Sequence, residues 1–130
     1  MNQSTVMTPS QLATDLKHFT GSETSYFRMA GGINVKYSEG VKFLQQQAQC
    51  YWLVDLIASY QTAEFKAKDY RQFWKLSVDT DSHKGTLTCD DGNGNIWITK
   101  QVEYTDFPLP EIAIWIVIEE GIFMYLPSEY

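Results

Sequence analysis

Histidine, cysteine and arginine are scarce in this chain of 130 residues, and each scarcity excludes something. The histidines are His18 and His83, and neither stands in an HxH, HExxH or CxxC neighbourhood, so no metal motif is present. Cys50 and Cys89 are far apart and form no CxxC pair. Cys50 lies in an apolar helical segment and Cys89 alternates with Leu87 on a strand, so both read as small core hydrophobes of a reducing, cytoplasmic compartment. Arginine is confined to Arg28 and Arg71, and residues 101–130 hold no Lys or Arg at all. The net charge of −6 therefore sits in the last quarter of the chain, in Glu103, Asp106, Glu111, Glu119, Glu120 and Glu129. Nucleic-acid binding draws its affinity from clustered cations, and this distribution argues against it.

Long apolar runs are missing too. The longest, Ile112 to Ile118, has a strand's length, whereas a spanning helix needs about 18 residues or more. Met1 to Ser10 is polar and carries no secretory core, so no membrane or export role is expected. What is present is 44% hydrophobic and 15% aromatic residues, enough for one globular domain over 1–130, with 1–7 expected to be flexible.

Thr8-Pro9 pairs a hydroxyl N-cap with proline at the first helical position, and predicts a short helix over about 9–19. Ser25 to Met29 and Asn34 to Tyr37 read as a hairpin across Gly31-Gly32. Ser38-Glu39 starts the main helix, expected to run unbroken to about Tyr60 with Val41, Leu44, Ala48, Trp52 and Leu56 on its buried face. A short helical stretch follows from Ala63 to about Gln72. Five strands come next: Phe73–Asp79, Thr86–Asp90, Ile96–Tyr104, Glu111–Glu119 and Ile122–Leu126. The reading is α+β: a five-stranded antiparallel meander with the long helix across one face and the shorter N-terminal helix beside it.

Phe19-Thr-Gly-Ser-Glu23, Tyr37-Ser-Glu-Gly-Val41, Tyr51-Trp-Leu-Val-Asp55 with Ile57-Ala-Ser59, Thr105-Asp-Phe-Pro-Leu109 and Leu126-Pro-Ser-Glu-Tyr130 stand out as segments. Together they resemble a family of small bacterial and cyanobacterial proteins of unknown function. The resemblance spans residues 19–130 and implies a single cytoplasmic domain. It implies no activity and no cofactor.

Motifs for chemistry fail one by one. Asp91, Asn93 and Asn95 fit the start of a calcium loop, but Ile96 stands where glycine is required and Val102 where the twelfth-position Glu belongs. No GxSxG elbow or phosphate-cradling loop occurs. Asp55 is the most informative polar residue, one turn after Tyr51 and one before Ser59 on the apolar stripe. There it should be largely buried, either as a general acid/base with a raised pKa or as a structural carboxylate met by donors. With no His or Lys within a turn of it, the structural role is the stronger reading, and catalytic residues are assigned to none.

The aromatics form the second constellation. Alternation places Trp97, Trp115, Phe123 and Tyr125 on the sheet face opposite the isoleucine-rich one. Either the N-terminal helix covers them, or they form an exposed patch of the kind that marks interfaces. The function expected first is a non-catalytic interaction or regulatory module, working through this face and the acidic C-terminal region, with a two-fold homodimer or another protein as partner. The alternative is a module for a flat apolar ligand among Trp97, Trp115 and Tyr51, haem at the extreme, although no motif identifies an axial ligand. An enzyme using Asp55 stands third.

Overall fold

A computed structural model describes residues 8–21 and 24–130; the expectation of a flexible 1–7 lies outside these residues. The chain runs α1 (Pro9–Leu16), β1 (Ser25–Ala30), β2 (Ile33–Ser38), α2 (Glu39–Ala48), α3 (Tyr51–Ser59), α4 (Ala63–Lys66), then β3 (Arg71–Asp79), β4 (Lys84–Asp90), β5 (Ile96–Val102), β6 (Glu111–Ile118), β7 (Ile122–Tyr125) and a 3-10 turn, Pro127–Glu129. The class is α+β.

The helix starts follow their caps. Thr8 accepts the Gln11 amide at 3.2 Å, and Ser38 Oγ accepts that of Val41 at 3.2 Å. The helix interiors depart from the expectation. The main helix is broken, because Gln49 adopts a left-handed φ of 53° and Cys50 restarts the chain as α3. The break resets the helical phase. In α2 Val41, Leu44 and Ala48 are buried, as the stripe predicts, together with Gln45, which is expected outside the stripe; in α3 the buried face becomes Leu53, Val54, Ile57 and Ala58. Trp52, Asp55 and Leu56 move to the flank. Two further ends differ: α1 stops at Leu16, and α4 is only four residues long before β3 begins at Arg71.

All five expected C-terminal strands form and pair antiparallel with one another, but β5 and β6 are not neighbours and the sheet is larger and mixed. It has seven strands in the order β1-β2-β7-β6-β3-β4-β5. The N-terminal hairpin joins through a parallel pairing of β2 with β7, Lys36 opposite Phe123 and Tyr37 opposite Met124. The connection after β5 also returns past β4 and β3, so that β6 pairs with the far edge of β3. That connection holds its own anchors: buried Phe107 and Leu109, Thr105 N–H donating to His83 O at 2.8 Å, and Val78 N–H donating to Pro110 O at 2.8 Å. A plain meander is thus replaced by a fold-back, because these apolar residues bury on the helix side.

The core lies between the helices and one face of the sheet. Val35 and Tyr37 of β2, Trp74, Leu76 and Val78 of β3, Leu87 and Cys89 of β4, Ile114 and Ile116 of β6 and Met124 of β7 meet Leu12, Val41, Leu44, Leu53, Val54 and Ile57. Among the described residues no helix is long and apolar enough to cross a membrane.

Candidate functional site

Among the described residues, the opposite face of the sheet carries no helix. Strand alternation turns Arg71, Phe73, Lys75 and Ser77 of β3 outward, with Ala113, Trp115 and Val117 of β6 and Phe123 and Tyr125 of β7. Register then sorts them. Tyr125, Trp115, Phe73 and Asp90 fall in one row across four strands. Phe27, Lys36, Phe123, Val117 and Arg71 fall in the next. Beyond them the face turns polar, with Lys75, Thr88 and Thr99, then Ser77, Thr86 and Gln101. One half of the face is aromatic and the other is a hydroxyl-rich solvated sheet.

The rings touch. Phe73 meets Trp115 edge-on at 5.1 Å, Trp115 meets Tyr125 at 6.3 Å, and Phe123 stacks on Tyr125 at 5.7 Å. Helix α1 does not cover them; its Leu12 and Leu16 join the core on the other side, and it packs on α2. Tyr130 folds back instead, 5.8 Å from Trp115 and stacked 6.5 Å from Tyr125. Tyr125 is left only 7% exposed. Its phenol pKa is raised by that burial, with Arg71 pulling the other way.

Arg71 stands beside these phenols, 4.8 Å from the Tyr130 ring and 5.7 Å from Tyr70. A hydrogen bond with the Tyr130 side chain raises its pKa further, so it stays a cation. A groove of about 350 Å³ opens here, lined by Arg71, Val117, Phe123, Tyr125 and Tyr130 with Glu119 at its rim.

The C-terminal turn is held in place by Glu129. Its carboxylate accepts Ser38 Oγ–H at 2.6 Å, Gly40 N–H at 3.1 Å and Leu126 N–H at 2.9 Å, so it closes the N-terminus of α2. A Cβ at Gly40 would stand 2.6 Å from Glu129 Oε1, so only glycine leaves room for the contact. Glu129, seen in the sequence only as part of an acidic tail, has the structural role expected of Asp55.

Asp55 itself is not buried: its side chain is 48% exposed and pairs with Arg28 at 3.0 Å. The helix break rotates it off the buried face. Arg28 reaches across from β1 and also donates to Gln45 Oε1 at 3.0 Å, Tyr51 O at 3.1 Å and Met29 O at 3.1 Å. Tyr51 is 42% exposed, with its ring 5.5 Å from that guanidinium, and Ser59 is exposed with its hydroxyl donating to Leu56 O at 2.6 Å. The arrangement staples β1 to α2 and α3. Since the pair is half in water and Arg28 keeps three other acceptors, Asp55→Ala is expected to cost about 0.5–1 kcal/mol. Urea denaturation checks this. A loss of about 2 kcal/mol or more would mean that the carboxylate has buried donors.

Trp97 also lies away from its expected face. A register shift opposite Cys89 and Asp90 inserts it as an extra residue in β5. Its ring therefore lies on the helix side, edge-on to Phe65 at 5.9 Å, with Phe65 6.1 Å from buried Trp74. Trp97, Trp115 and Tyr51 consequently belong to separate parts of the surface and frame no common ligand site.

Sequence reading missed a buried polar cluster. Gln61 and Gln72 exchange reciprocal amide hydrogen bonds at 2.8 Å, and Trp74 Nε1–H donates to Gln72 Oε1 at 2.7 Å. Only their interruption of apolar surroundings could have flagged them. Burial pushes the Cys50 and Cys89 thiols up to about 12, which keeps both protonated. The Asp90–Asn95 loop satisfies itself: Asp91 accepts the amides of Asn93 and Asn95 and the Asn95 side chain, at 2.7–3.2 Å. Among the described residues, no group of three His, Cys, Asp or Glu could hold a metal.

Comparison with family models matches residues 10–130 to the family of unknown function DUF6876, and the chain belongs to that family. Neither the curated proteins nor the solved structures returned a match.

Proposed function

We propose that this protein is a non-catalytic interaction module that pairs with a second copy of itself through the aromatic half of its helix-free sheet face. The observation that carries this reading is the contiguous set Phe73, Trp115, Phe123 and Tyr125, joined by ring contacts and covered by no helix. Exposed Phe27, at 62%, extends the patch to the edge of the sheet. Phe73, Trp115 and Phe123 are half-buried, and contiguous aromatic surface of this kind marks interfaces. Charge supports a copy as the occupant. A two-fold interface brings a patch against itself, so it must contain both signs. This face carries Lys36, Arg71 and Lys75 together with Asp90, Glu111 and Glu119. The acidic C-terminal region then acts at the rim, except for Glu129, whose oxygens hold the α2 N-terminus. Two free, buried cysteines suit a reducing cytoplasm.

Light scattering across a dilution series tests the reading. The chain mass is 15.0 kDa. A stable pair should bury roughly 1,200–2,000 Å² in total and scatter at about 30 kDa, with the mass falling towards the monomer on dilution. Trp115→Lys puts a charge at the centre of the patch and should leave monomer at every concentration. A wild-type chain that is monomeric when concentrated refutes the pair, and a dimer indifferent to Trp115→Lys moves the interface off this face.

A further inference from the structure

The two arginines differ in how far their donors are used. Arg28 has four acceptors, Asp55 among them. Arg71 has its ring contacts and the hydrogen bond with Tyr130, but its Nε is shielded from water with no acceptor, and the ion pair among the described residues is that of Arg28. A shielded guanidinium N–H without a partner is rare in native proteins and asks for a reason.

Its position supplies one. Arg71 borders the groove of about 350 Å³ whose walls are Val117, Phe123, Tyr125 and Tyr130. A cation among phenols and apolar side chains, with Trp115 in the neighbouring row, complements a negative group mounted on an apolar body. The acidic neighbours narrow the choice. Glu129 is spent on Ser38, Gly40 and Leu126, so it does not neutralise Arg71. Glu119 at the rim opposes a second negative charge in the groove. A single negative charge is favoured over a dianion, and a planar group matches the guanidinium fork.

We propose that this groove binds a monocarboxylate carried on an aromatic or apolar body, with Arg71 as its anchor. The guanidinium donates to the carboxylate oxygens, and the body rests against Phe123 and Tyr125. The site does not depend on the proposed pair but shares Phe123 and Tyr125 with it, so ligand and second copy compete and phenylacetate should shift the mass towards the monomer.

The test titrates the isotope-labelled full chain with phenylacetate, following the Arg71 Nε–Hε and Trp115 indole resonances, with light scattering on the same samples. For a ligand this small, saturation is expected in the millimolar range. Phenylacetamide, which keeps the ring and lacks the charge, should bind about tenfold more weakly, as should inorganic phosphate. Arg71→Gln should weaken phenylacetate by about tenfold or more. Absence of saturation by about 20 mM, whatever the mass, overturns the proposal. So does equal binding of phenylacetamide, tighter binding of phosphate, or an unaffected Arg71→Gln protein. Should Arg71→Gln not fold, the phenylacetamide comparison on the wild-type chain decides. A chain that is monomeric before phenylacetate is added and binds it refutes the dimer and keeps the site, whereas a chain diluted to monomer that does not bind it refutes the site alone.

Discussion

Gly31→Ala is expected to destabilise the fold by about 3–4 kcal/mol, while the same change at the neighbouring Gly32 costs only about 1 kcal/mol. Both residues form the two-residue turn between β1 and β2, with φ of +55° and +85°. Each therefore bears the left-handed penalty of a side chain in that conformation. They differ in what stands beside them. A Cβ at Gly31 would lie 2.7 Å from Asp55 O and 2.8 Å from Ser59 N, whereas one at Gly32 meets nothing within 4 Å. The atoms opposing Gly31 are helix backbone and cannot step aside. The hairpin would have to lift off α3, weakening the contacts that Arg28 makes with Gln45, Asp55 and Tyr51. Chemical denaturation of both variants measures the difference. Equal losses at the two positions would show that the turn does not press on α3.

Gln72→Leu should cost about 3 kcal/mol or more. Gln72 is 0% exposed, and its Oε1 accepts from both Gln61 and Trp74. Leucine fills much the same volume but leaves the indole N–H and the Gln61 carbonyl without partners inside the core, each at about 1–3 kcal/mol. The cost is therefore in the orphaned groups, and a double-mutant cycle isolates it. Trp74→Phe removes one orphan, so in the Gln72→Leu background it should cost about 1–2 kcal/mol less than in the wild type. An exposed glutamine, Gln46, is the control, and Gln46→Ala should stay within about 0.5 kcal/mol. A Gln72→Leu loss as small as that would mean the cluster is not closed to water.

Much of the secondary structure was legible because its signals are local. Period-two alternation located all five C-terminal strands, Gly31-Gly32 marked the hairpin, and Thr8-Pro9 and Ser38 marked two helix starts. The break at Gln49 was not legible. A left-handed helix end usually falls on glycine, and glutamine in a run of glutamines reads as continued helix. From that single residue follows the misplacement of Asp55: a phase carried unbroken from Val41 puts it inside, and the reset phase puts it beside Arg28. Trp97 was assigned to the wrong face for a parallel reason. One bulge residue inverts the alternation of a strand, and nothing in Ile96-Trp-Ile98 announces it.

The sequence by itself determined the α+β class, the positions of the strands and the outward turn of Trp115, Phe123 and Tyr125. Each depends on periodicity within about ten residues and on turn chemistry at their ends. Tertiary structure alone decided that β2 lies parallel to β7, that β6 returns to β3, and that Glu129 closes α2. It also decided that Arg71 is left with an unpartnered donor in the aromatic groove. The contacts behind the first three join residues about forty to ninety positions apart, such as Lys36 with Phe123 and Ser38 with Glu129. Such pairings leave no mark on local spacing. They are selected by which arrangement buries the apolar faces of the helices and the sheet together, and that free energy belongs to the folded chain as a whole.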